Sequence, residues 1–152
     1  MGSIADSLPP HKRRKFAENQ LIPGRIVYLF STFTTPEKEK YLVIGYWGDT
    51  PLVLAINSRI NAFKQDHPEL LRCQVLIRAD DYDFLDHDSY IDCAKVVNSF
   101  DADDILDQLQ DDLTRLKGEI TEETRWQILD AISVARTVSP FHKDLIKKAL
   151  AR

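Results

Sequence analysis

A chain of 152 residues with 43% hydrophobic and 29% charged residues has the composition of one globular domain, which excludes a disordered or fibrous polymer. Its net charge of −4 is uneven: residues 1–20 set four basic residues against Asp6 and Glu18, a surplus of +2, so the remainder carries −6. An acidic body disfavours nonspecific nucleic-acid binding, and no run of about eighteen apolar residues exists to cross a membrane.

The first twenty residues, with Pro9-Pro10 and the cluster His11 to Lys15, read as a flexible basic arm. They lack the apolar segment and cleavage site of a secretory signal, so cytoplasmic residence is the expectation. Ile22-Pro23-Gly24 is a turn opening a first strand, Arg25 to Ser31. A polar loop containing Pro36 leads to a second strand, Tyr41 to Tyr46. Trp47 to Thr50 has hairpin-turn chemistry, and a third strand ends near Asn57. These strands are rich in β-branched and aromatic residues with short connections, the pattern of an antiparallel meander. Residues 58–71 are polar, with room for a short helix stopped before Pro68.

Arg72 to Val97 reads as strand, acidic turn, strand. Cys73 to Ile77 is a short apolar run, and Asp80 to Asp88 forms turns. Ser89 to Val97 alternates, with Ile91, Cys93 and Val97 on one face. Cys73 and Cys93 lack CxxC spacing and are expected as reduced core thiols. Asp101 is placed to cap a short helix carrying Ile105, Leu106 and Leu109. Its Asp-rich face has no glycine where a calcium loop needs one, which predicts a solvated surface. Gly118 breaks the chain. Thr121 caps the next helix, whose stripe is Ile128, Leu129, Ile132 and Ala135. Ser139-Pro140 opens a last helix with Phe141, Leu145 and Ala149 four apart. Trp47 and Trp126 are expected in core or turn packing. No P-loop, GxSxG or HExxH motif is present. Five strands followed by helices predict an α+β fold around a small, strongly bent antiparallel barrel.

From about Ile22 to Val138 the chain resembles the MazF/PemK family of toxin ribonucleases. PGRIVYL is similar to the family's opening strand, KYLVI to its second and LAINS to the end of its third. The Tyr82 to Val97 ribbon, followed by KGEIT and a helix, resembles the family's ending. The resemblance implies an SH3-like five-stranded barrel over residues 21–138, after the arm at 1–20 and before an additional helix at 139–152. It also implies a homodimer held in check by an antitoxin protein, and metal- and cofactor-independent cleavage of single-stranded RNA. In that chemistry the 2′-hydroxyl attacks its own phosphate, which requires a proton acceptor and a cation for the phosphorane.

Many members place an arginine at the start of strand two and a threonine at the end of strand three. Here Lys40 and Asn57 occupy those positions, which the resemblance marks as catalytic. Other members flank a strand-five cysteine with arginine and aspartate, whereas Cys93 is flanked by Asp92 and Ala94. Lys38, Ser58 and Arg59 are expected to bind substrate beside Lys40 and Asn57. His87, between Asp86 and Asp88, has a proton affinity suited to acid–base work. The substituted positions leave a second expectation open: the same barrel serving as a non-catalytic binding module for a protein or nucleic acid.

Overall fold

The computed structural model describes residues 7–151. Six strands form one curled antiparallel sheet: β1 (Arg25–Ser31), β2 (Lys38–Tyr46), β3 (Leu52–Asn57), β4 (Gln74–Ile77), β5 (Ser89–Asp92) and β6 (Leu116–Glu119). Their spatial order is β4-β5-β3-β2-β1-β6. Six helices complete an α+β architecture: α1 (Pro10–Gln20), α2 (Ala62–Gln65), α3 (Pro68–Leu71), α4 (Ala102–Asp111), α5 (Glu122–Val134) and α6 (Pro140–Leu150). None is long and apolar enough to cross a membrane.

Period-two alternation sends the central strands into two cores. Ile26, Val43, Leu54 and Ile56 face one, which α5 and α6 complete through Ile128, Ile132, Ile146 and Leu150. Val27, Leu29, Leu42, Ile44 and Val53 face the other, completed by Ala17 of α1 and Ile105 and Leu109 of α4. Both faces of the sheet are covered, so its central strands are apolar on both sides. At Gly24, φ is +95° and a Cβ would stand 3.3 Å from Ile120. Its N–H donates to the Ile44 carbonyl while its own carbonyl accepts from Ile120, which brings β6 alongside β1.

Six strands stand where five are expected. The sixth, Leu116–Glu119, pairs with β1 at Arg25↔Glu119 and Val27↔Leu116. It is too short to show alternation, and Gly118 disguises it as a break. Strand β5 ends at Asp92 rather than running to Val97, which alone bridges Val53. A second short helix, α3, starts at Pro68, where proline suits the first helical position. Thr121 and Ser139 cap α5 and α6 by accepting from the Thr124 and His142 N–H groups, as expected. Asp101 precedes α4 without making a side-chain cap bond. In α6 the buried residues are Ile146 and Leu150, and Phe141 stands 69% exposed. Trp126 is also exposed, its indole N–H bonded to Glu122, whereas Trp47 packs against the second core.

The basic arm needs correction over its second half; residues 1–6 lie outside the described residues. Pro10–Gln20 is helical, with proline at its first turn. Arg14 bridges Asp103 and Asp107 of α4 at 2.9 and 2.7 Å, and Arg13 donates to the Gln110 carbonyl. The weak amphipathicity of α1 hid it: one small residue, Ala17, makes its buried contact, and Leu21 seals its end. The acids of α4 are therefore partners of α1, not only a solvated face. Deleting residues 1–21 uncovers Leu106 and Leu109 and is expected to destabilise the fold by about 2–3 kcal/mol. Urea unfolding of full-length and shortened chains measures it; an unchanged midpoint contradicts this packing.

Candidate functional site

The register places the site. Leu42 pairs with Ala55 and Val43 with Leu54, so Lys40 falls opposite Asn57 at the open end of the β2–β3 hairpin. The Lys40 ammonium donates to Asn57 Oδ1 at 2.5 Å. Asn57 is in turn paired across β5 with Tyr90. The two positions singled out from sequence are thus in direct contact.

Lys38, Lys40, Ser58 and His87 line one cavity of about 260 Å³. Arg59 is exposed and does not line it, because the chain turns away after Ser58. His87 is exposed at the rim, its Nδ1 3.0 Å from the Asp88 carbonyl oxygen. No carboxylate of Asp86 or Asp88 forms an ion pair with it among the described residues. Asp88 instead accepts from the Ala79 N–H, which closes the ribbon turn.

Sequence reasoning missed the cavity's aromatic wall. Tyr28, Tyr41 and Phe84 line the same space as the lysines. The ring centroids of Tyr28 and Tyr41 lie 4.4 Å apart, and those of Tyr41 and Phe84 4.7 Å. Tyr28 and Tyr41 are direct cross-strand partners. Only the register, which follows from the hairpin fold, brings them together; the Tyr82-Asp83-Phe84 segment was a visible but unspecific signal.

The electrostatics centre on Lys40. Burial, with the positive charges of Lys38 and Lys64, pulls its amine down to about 8, opposed by Asp92. Such an amine is neutral in about a tenth of molecules at pH 7, far more than an ordinary lysine. Asp92 is a buried carboxylate that accepts from Lys64 at 2.8 Å, Gln74 at 2.9 Å and the Ala94 N–H at 3.0 Å. Burial raises the Tyr41 phenol, with Tyr28 and Asp86 adding to the shift. Arg115, donating to the Tyr28 carbonyl and to both carboxylate oxygens of Glu39, holds Glu39 below the usual carboxylate range and steadies the β1–β2 end of the site.

Beside the site, Cys73 and Cys93 are free, buried and adjacent across the ribbon, with the Cys93 N–H donating to the Cys73 carbonyl. Burial pushes both thiols up, so they are poor nucleophiles. Among the described residues, no three His, Cys, Asp or Glu side chains are grouped to hold a metal ion.

No protein-family model matches this sequence, and comparison with curated proteins gives no match.

Proposed function

We propose that this chain is a MazF/PemK-like endoribonuclease with an SH3-like barrel, acting on single-stranded RNA at the Lys40 cavity. The observation that carries the reading is the half-buried Lys40 amine, bonded to Asn57 and standing in one cavity with Lys38 and three aromatic rings. A phosphodiester with an unstacked base presents an anion beside a flat π-face, and lysines beside clustered aromatic rings complement that pair. Lys40 in its neutral form accepts the 2′-hydroxyl proton. Lys38 supplies positive charge to the phosphorane, and Asn57 fixes the amine's direction. The bond from the 2′-oxygen to phosphorus forms as the 5′-oxygen leaves and takes a proton from water, giving a 2′,3′-cyclic phosphate and a 5′-hydroxyl. A homodimer and restraint by an antitoxin protein belong to the same proposal.

The test is incubation of micromolar protein with mixed-sequence single-stranded RNA in EDTA, with end-group analysis of the fragments. Cyclic-phosphate ends are expected. RNA left intact both in EDTA and with added divalent metal overturns the nuclease assignment. Retention of RNA without cleavage identifies the alternative, a non-catalytic binding module. The replacement of the family's threonine by Asn57 favours that alternative, since it removes a hydroxyl.

Tyr41→Ala and Phe84→Ala are expected to weaken RNA binding by about 1–3 kcal/mol each, the worth of a stacked base. Fluorescence anisotropy with labelled oligonucleotides measures it, and a fall confined to abasic-sensitive positions marks stacking.

A further inference from the structure

Among the described residues, no strand pairs with the edge of the sheet opposite β6, the outer side of β4. The Cys93 N–H donates to the Cys73 carbonyl, so antiparallel alternation makes 75/91 and 77/89 the hydrogen-bonded pairs of the ribbon. The peptide groups of Gln74 and Leu76 therefore point away from β5. β4 is the end strand of the sheet, and no turn or loop backbone bond among the described residues engages them. Alongside this edge runs a groove of about 560 Å³ between β4 and α5. Val75, Ile77, Ala131 and Val134 form its apolar floor and wall, and Val134 is 57% exposed. Glu123 and Asp130 stand seven residues apart on the α5 side, Arg72 and Arg78 on the strand side. None of these four is in an ion pair among the described residues.

We propose that this groove takes an extended peptide segment of a partner protein as a seventh strand beside β4, with basic and apolar side chains turned toward α5 and acidic or neutral ones turned outward. The free peptide groups of Gln74 and Leu76 match the two-residue repeat of an added strand. On such a strand the inward side chains meet Glu123 and Asp130, and the outward ones lie beside Arg72 and Arg78. A second copy of this chain fits less well: pairing Gln74 with Leu76 of the copy sets Arg72 against its Arg78, a like-charge contact. The site is separate from the Lys40 cavity and stands without the nuclease reading.

The probe is a synthetic ten-residue peptide alternating valine or lysine with threonine or glutamate, titrated into the full ¹⁵N-labelled chain. Expected are shifts of the Gln74 and Leu76 amides, slowed exchange of both, and at least tenfold weaker binding of the peptide with lysines and glutamates interchanged. Leu76→Pro removes one outward N–H at an edge position where proline is tolerated, and abolishes binding. The surface variant Glu123→Lys/Asp130→Lys, which leaves packing untouched, reverses the charge preference. No shift at millimolar peptide, or equal affinity for both charge patterns, overturns the proposal. So does concentration-dependent dimerisation that the Leu76→Pro variant loses.

Discussion

Replacing Lys40 by arginine is expected to lower RNA cleavage by about 10²–10⁴-fold, the usual worth of a positioned proton acceptor. Arginine preserves the charge and much of the reach, but its guanidinium does not lose its proton at any working pH. Lys40→Met, which keeps the length and the buried stem, should be as inactive. The pH profile separates this role from simple phosphate binding. Burial and the nearby Lys38 and Lys64 hold Lys40 at about 8. Cleavage by a neutral amine therefore rises about tenfold per pH unit below 8 and levels off above it. Were Lys40 only a phosphate anchor, the rate would fall above 8 and arginine would rescue it. Lys64→Met refines the test. It deletes a positive charge that depresses Lys40 and releases Asp92, which raises it, so the midpoint moves above 8. Single-turnover cleavage from pH 6 to 10 reads both effects.

The same amine bears on stability. Its folded pKa of about 8 lies below the ordinary 10.5. The unfolded chain thus binds more protons between those values, and stability rises as pH climbs through that window. Below 8 both states are protonated and the cost of the half-buried charge is carried in full. Discounted for partial exposure, that cost is about 1–2 kcal/mol, which Lys40→Met recovers near neutral pH. Gaining stability while losing activity is the pattern of a functional rather than structural residue.

How much of this was legible in the sequence depends on what each feature needs. The β1–β2–β3 meander and the caps Thr121 and Ser139 rest on local patterning and turn chemistry, and they were read directly. The resemblance marked Lys40 and Asn57 as site positions, and only the hairpin register brings the two into contact. Tyr28, Tyr41 and Phe84 come from three segments, and no spacing along the chain announces their convergence. Lys64 reads as one more polar residue of the 58–71 stretch until α2 sets it on Asp92. Short β6 and the sparsely apolar α1 were missed for a common reason. Each takes its form from tertiary partners, Gly24 with β1 for one and the acids of α4 for the other.

Asp92→Ala is expected to destabilise the protein by about 3–5 kcal/mol, the cost of breaking a buried pair from one side. The carboxylate satisfies three donors from different segments: Lys64 of α2, Gln74 of β4 and the Ala94 N–H just beyond β5. Its removal leaves an ammonium only 20% exposed and a buried peptide N–H without their acceptor. Asp92→Asn retains an oxygen for Ala94 and loses the charge, so its cost should be nearer 1–2 kcal/mol. For a chain of this length the alanine variant's loss corresponds to a fall in Tm of roughly 10 °C. A cycle combining Asp92→Asn with Lys64→Met isolates the pair, since the second change is cheap once the first has removed the partner. Differential scanning calorimetry of the four proteins decides it. Additive losses would mean that Asp92 acts through Gln74 and Ala94 alone, and that the charge of Lys64, with its pull on Lys40, is held in place by α2 itself.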